Sequence, residues 1–151
     1  MSRVILLDSG PLGMATNPKA SFVEVEECKR WLKSLLLSNE MIILPEIADY
    51  EVRRELIRAR KAAGLRRLDQ LKLELTYRPI TTQVMLMAAQ LWADARQRGR
   101  PTADSTALDG DVILAAQAIL EGNEGNEVVI ATTNLGHLSQ FVDAREWRMI
   151  Q

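Results

Sequence analysis

The sequence predicts an α/β fold: a short, mostly parallel central sheet with helices on both faces. Three observations carry that prediction. Continuous apolar runs of strand length, Val4–Leu7, Met41–Leu44 and Val128–Ala131, suit strands buried on both faces. Segments with helical spacing of apolar residues separate those runs. Hydrophobic residues make up 47% of the 151 positions and aromatic residues 5%, a balance that favours helices layered on a sheet over an aromatic-rich sandwich.

The elements follow in order. Val4–Leu7 ends at Asp8, and Ser9-Gly10-Pro11-Leu12-Gly13 reads as turn chemistry. From about Ala20 to Ser38, Val25, Cys28, Trp31, Leu32, Leu35 and Leu36 recur at helical spacing. Met41–Leu44 is a second strand, and Pro45 suits the first turn of the helix after it, where a missing N–H costs nothing. That helix is predicted to run to about Ala63 and stop at Gly64. A further helical piece over Leu65–Leu75 leads to an extended segment near Tyr77–Ile80. Thr82 can cap a helix whose stripe includes Met85, Ala88, Leu91, Trp92 and Ala95, with Gly99 just past its end. Arg100–Leu108 is loop-like, Asp109 is a cap for a helix through Leu120, and Gly122 and Asn123 close it. Val128–Ala131 is the clearest later strand, and a last one is predicted over Trp147–Ile150.

No internal repeat, low-complexity tract or linker interrupts the chain, so a single domain over residues 1–151 is expected. The one cysteine, Cys28, cannot form an internal disulfide or a multi-cysteine zinc site and reads as a small buried hydrophobe. A reducing, cytoplasmic setting is the expectation. The first apolar run is too short for a signal sequence. No apolar stretch approaches the ~18 residues of a membrane span.

The net charge of −1 says nothing about nucleic acid, but its distribution does. Arg53, Arg54, Arg58, Arg60, Lys61, Arg66 and Arg67 crowd one segment against only Glu51 and Glu55. Such a run can supply a local phosphate-binding face. It can equally be a solvated helix surface.

Ligands of open α/β sheets bind beyond the carboxyl ends of the strands. Asp8 closes the first strand, Asn134 lies just past Val128–Ala131, and Asp111 begins the helix before that strand. Glu51 sits on the helix that follows the second strand. Each has a plain structural reading: Asp8 and Asn134 as turn residues, Asp109 as a cap, Asp111 as a partner for the helix dipole. Glu51 is harder to explain this way. It borders the stripe Ala48, Val52, Ala59 and Ala63, and Glu55 lies one turn on. Two acids at i and i+4 on a semi-apolar face repel unless a cation, or an arginine such as Arg58, neutralises them.

At these residues the chain resembles the PIN-domain ribonucleases, including the toxins of VapBC-type toxin–antitoxin pairs. The resemblance begins with Leu7-Asp8-Ser9 and continues at Pro45-Glu46-Ile47-Ala48-Asp49-Tyr50-Glu51-Val52. It is strongest at Asp111-Val112-Ile113-Leu114-Ala115-Ala116-Gln117-Ala118, and it closes with Thr132-Thr133-Asn134 and His137-Leu138. It spans roughly residues 4 to 141.

The resemblance implies a PIN-like three-layer α/β/α fold and a catalytic set of Asp8, Glu51, Asp111 and Asn134. The first three would hold Mg²⁺ or Mn²⁺, with Asn134 at a fourth, variable position. Ser9, Glu55, Asp109 and Thr132 are candidate supports of that set, Arg53, Arg54 and Arg58 are candidate RNA contacts, and His137 is read as structural. The implied activity is metal-dependent endoribonuclease action on RNA, with an antitoxin protein as a candidate partner, a homodimer as a candidate assembly and no membrane association. Asn at position 134 leaves room for an alternative, a catalytically weak nucleic-acid-binding or regulatory PIN protein. A phosphatase-like hydrolase using Asp8 as nucleophile would place a second Asp at position 10, which is Gly. Ser9–Gly13 lacks the glycine spacing of a dinucleotide-binding loop.

Overall fold

The computed structural model describes residues 2–18, 22–99 and 107–151. In chain order its elements are β1 (Arg3–Leu7), α1 (Ser9–Thr16), α2 (Val23–Leu37), β2 (Met41–Pro45), α3 (Glu46–Arg58), α4 (Ala62–Glu74), β3 (Thr76–Arg78), α5 (Thr82–Gln97), α6 (Ala107–Gly122), β4 (Glu127–Thr132) and β5 (Ala144–Glu146). The Ala20 start expected for the second helix, and positions 100–106 of the expected loop, lie outside the described residues.

The sheet has five strands in the order β3-β2-β1-β4-β5. All of its pairs are parallel. The apolar runs explain why β1, β2 and β4 take the centre, since a strand covered on both faces must be apolar at every position. Successive side chains alternate between faces. Ile5, Leu7, Ile42, Leu44, Val129 and Ala131 pack with Leu12 of α1, Leu32 and Leu35 of α2, and Leu68 and Leu71 of α4. Val4, Leu6, Ile43 and Ile130 turn to the other face, beneath Leu114 and Ala118 of α6. The helix α5 then packs on α6 through Val84, Ala88 and Ala95 against Val112 and Ala116. Cys28 is fully buried, as expected, and burial pushes its thiol up to about 12.

Several boundaries differ from the sequence expectation, each for a physical reason. Residues Ser9–Thr16 form a helix rather than a turn, because Asp8 caps it by accepting a hydrogen bond from the Ser9 amide. Pro11 falls in the first turn, where no intrahelical donor is needed. The helix after β2 stops at Arg58, and Gly64 lies inside the next helix. A Cβ at Gly64 would stand 2.7 Å from Leu56 Cδ2, so this glycine serves the close crossing of α3 and α4. Pro45 ends β2 one residue before α3. Thr81, not Thr82, caps α5 by accepting from the Val84 amide at 3.1 Å. Asp109 lies within the first turn of α6, which begins at Ala107. The last strand is Ala144–Glu146, and Trp147–Met149 is a 3₁₀ turn that drops Trp147 and Ile150 into the core. Among the described residues no helix is long and apolar enough to cross a membrane.

Candidate active site

The strand order reverses direction at β1. From there the chain builds outward through β2 and β3, then returns to add β4 and β5 on the other side. A crevice forms at such a switch point, outside the carboxyl ends of the two diverging strands. Parallel pairing of β1 with β4 sets Leu7 beside Ala131, so the next residues, Asp8 and Thr132, emerge together. The Asp8 amide continues the ladder, donating to the Ala131 carbonyl at 2.9 Å.

Both Asp8 carboxylate oxygens are held. Oδ1 accepts from the Ser9 amide at 2.7 Å and Oδ2 from the buried Thr132 hydroxyl at 2.8 Å. The Thr132 oxygen also stands 3.0 Å from the Asn134 carbonyl, but it has one proton, and the charged acceptor is the stronger. Thr132 Oγ1 in turn accepts from the Asn134 amide at 3.0 Å. Each carboxylate oxygen keeps a lone pair beyond these bonds.

Glu51 and Asp111 reach the same place from α3 and α6. The carboxyl of Glu51 is pushed up by burial first and by the Asp8 charge second; Arg54 counteracts this and Asp111 adds to it. Asp111 is likewise pushed up by burial and then by Asp8, with His137 pulling the other way. The three acids named by the sequence therefore share one electrostatic environment. As the side chains stand, they do not close into a coordination shell: among the described residues no group of three or more His, Cys, Asp or Glu side chains is placed to hold a metal ion. The donor chemistry still fits a hard divalent cation, which takes oxygen ligands, only a few of them carboxylates, and keeps several waters.

The remaining candidates divide. Asn134 stands at the rim through its backbone, while its exposed side chain leans over Gly136, with Oδ1 3.2 Å from where a Gly136 Cβ would lie. A cleft of about 350 Å³ between α1 and α3 adjoins the acids, lined in part by Ser9, Gly10, Glu51, Arg54 and Glu55. Glu55 is neutralised by Arg58 at 2.7 Å, the arginine partner its spacing from Glu51 called for. Asp109 faces elsewhere, at the edge of an apolar groove between α5 and α6 that includes Met85 and Trp92.

Of the three arginines expected to meet nucleic acid, Arg53 and Arg58 have carboxylate partners and Arg54 lines the cleft. Arg53 bridges buried Asp49 at 3.0 Å and Asp69 at 2.8 Å, and Arg58 is taken by Glu55. Arg54 lies 5.1 Å over the Tyr50 ring and lines the cleft. Sequence reasoning missed two glycines. A Cβ at Gly10 would stand 2.7 Å from Thr133 Cγ2, and one at Gly110 would stand 2.8 Å from Glu51 Oε2. For Gly110 the available signal was glycine between two acids inside an expected helix, where alanine would be about 1 kcal/mol better; Gly10, in a stretch that reads as a turn, gave none.

Solved structures with the same architecture include those of VapBC toxin–antitoxin complexes. VapBC2 from Rickettsia felis, bound to a promoter DNA fragment, superposes with a TM-score of 0.70 at 16% identity, covering 94% of this chain and 97% of that one. The fold is PIN-like. VapBC-1 from nontypeable Haemophilus influenzae gives a TM-score of 0.60 at 16% identity, over 96% of this chain and 98% of that chain. DNA-bound VapBC from Salmonella typhimurium gives 0.61 at 19% identity, over 97% and 99%. No family model and no curated protein matches the sequence. The PIN-like likeness therefore lives in the backbone, at an identity where it speaks for fold alone.

The raised carboxyls give a test of the site that needs no substrate. The ordinary values are 4.5 for Glu51 and 3.8 for Asp111, and both lie higher in the folded chain. Above the ordinary values the folded state binds more protons than the unfolded one. Stability therefore falls as pH rises through the folded values, and it stays lower beyond them. In metal-free buffer at pH 7, Asp111→Asn and Glu51→Gln should each raise the Tm. At about pH 3, where these carboxyls are protonated in both states, the gain should vanish. A lower Tm for either variant at pH 7 would contradict the shared-charge description.

Proposed function

We propose that this chain is a metal-dependent endoribonuclease acting as the toxin of a toxin–antitoxin pair. The observation that supports the reading is that Asp8, Glu51 and Asp111, from three separate segments, feel one another's charge at the carboxyl end of a parallel sheet, with the Glu51 carboxylate against Gly110, the residue before Asp111. Nothing in the packing of the core calls for three acids there. Their mutual repulsion makes the site a place where a cation is favoured.

A bound Mg²⁺ or Mn²⁺ would supply Lewis acidity, activating water and neutralising charge on the phosphodiester. The chain's own residues supply the rest. Thr132 and the Ser9 amide fix the direction of the Asp8 carboxylate. Arg54, at the cleft wall, offsets the repulsion that an acidic centre exerts on incoming phosphate. His137 moderates the charge of Asp111 from the loop after β4. No covalent nucleophile is required when water attacks, and the Thr132 hydroxyl is buried and committed to Asp8. An antitoxin partner is proposed on the likeness to the VapBC complexes.

The purified chain should cleave single-stranded RNA with Mg²⁺ or Mn²⁺ and not in EDTA, and Asp8→Asn should reduce turnover to background while the far-UV spectrum is kept. Cleavage that persists in EDTA rejects the metal reading. Binding without cleavage by the wild-type chain favours the nucleic-acid-binding alternative.

The arginines separate in a second assay. Arg54→Ala should weaken RNA binding and flatten the slope of log affinity against log salt by about 0.7, the share of one phosphate contact on a single strand. Arg53→Ala should leave that slope unchanged and lower the Tm instead, since it strips Asp49 and Asp69 of their shared partner. The opposite pattern would place the phosphate contact on Arg53.

A further inference from the structure

Gly110 sits inside α6, directly before Asp111. Glycine is the poorest helix former apart from proline, so its presence there needs a cause. Backbone conformation is not the cause, because Gly110 does not adopt a positive φ. Space is. A Cβ at this position would lie 2.8 Å from Glu51 Oε2, 3.5 Å from its Cδ and 3.8 Å from its Oε1.

All three neighbours belong to one carboxylate. That carboxylate is the free end of a flexible side chain, so an added methyl group would displace it and leave the backbones of α3 and α6 in place. Gly64 differs, since its Cβ would meet the apolar Leu56 side chain at a helix crossing. Gly122, at the far end of α6, differs too: its Cβ would meet only Val128 Cγ2, at an ordinary 3.8 Å.

We infer that Gly110 is a positioning residue of the acidic centre: the side chain it lacks leaves the volume in which the Glu51 carboxylate stands beside Asp111. Its consequence for metal binding rests on the function proposed above; its geometry does not. The helix that delivers Asp111 thereby also sets where Glu51 is held, and the two acids are placed by adjacent residues of one turn.

The test compares the wild-type chain with Gly110→Ala, Glu51→Gln, the double variant and Gly122→Ala as a control for helix propensity. Mn²⁺ affinity is measured by calorimetry, and the Glu51 side-chain carboxyl ¹³C resonance is measured without metal. Gly110→Ala should keep or raise the Tm, move the Glu51 resonance, and weaken Mn²⁺ binding by about tenfold, the lower range for loss of a group that orients a ligand. In the Glu51→Gln background the same substitution should change affinity by less than about twofold, because its target is already gone. Gly122→Ala should leave both the resonance and the affinity unchanged.

An unmoved Glu51 resonance in Gly110→Ala overturns the inference, as does an equal loss of affinity with and without Glu51. If the wild-type chain binds no Mn²⁺, the proposed function falls, and the metal-free resonance alone decides the positioning role. If Gly110→Ala does not fold, Gly110→Ala combined with Glu51→Asp should fold, since the shorter acid clears the added Cβ. Failure of both overturns the assignment of the clash to Glu51.

Discussion

The hydrogen bond from Thr132 to Asp8 joins β4 to β1 at the point where the strand order reverses. It is made possible by register: parallel pairing of Leu7 with Ala131 brings the next residue of each strand out of the core side by side. Asp8 then does two things at once. It starts α1 through the Ser9 amide, and it presents a carboxylate whose direction the buried Thr132 hydroxyl fixes. The position of α1, the wall of the cleft and the first acid of the site all depend on that arrangement. A shift of β4 by one residue would turn its core side chains to the wrong face and remove the Asp8 partner together.

Placing Glu51 and Asp111 beside Asp8 costs stability in the absence of a cation, because burial and like charge both oppose their ionisation. The fold offsets this only in part. Arg54 faces Glu51, His137 faces Asp111, and the three acids stay apart rather than closing together. The rest of the stability comes from ordinary burial on the two faces of the sheet. Local rules broken at one place and obeyed elsewhere are the mark of a functional site. Here the broken rules are clustered acids and a helical glycine whose missing side chain leaves room for one of them, and they fall on the same few residues.

Much of this was legible in the sequence. The strands β1, β2 and β4 announce themselves as apolar runs because burial on both faces permits nothing else. Asp8 and Asp111 could be named because they fall near element ends on the carboxyl side of the sheet, and Glu51 because it is an acid bordering the apolar stripe of the helix after β2; the resemblance to the PIN-domain ribonucleases joined the three. Other features could not be read, because they depend on partners distant in the chain. Gly10 and Pro11 look like turn residues until Asp8 is seen capping a helix and Thr133 is seen filling the space over Gly10. Gly64 looks like a helix stop until Leu56 crosses it. Arg53 and Arg54 are neighbours on one helix, yet the hundred-degree turn between them sends one to Asp49 and Asp69 and the other to the cleft. The edge strand β5 is short and polar, so the apolar signal fell instead on Trp147 and Ile150, which pack from a 3₁₀ turn.

Under the proposed function, three carboxylates from separate segments share a divalent cation at the switch point of the sheet. Anomalous diffraction from crystals grown with millimolar Mn²⁺ tests it most directly. The account predicts a single strong peak bonded to oxygens of Asp8, Glu51 and Asp111, absent from crystals of Asp8→Asn grown in the same way. A peak held elsewhere, or clear density for these side chains with no peak between them, would contradict it.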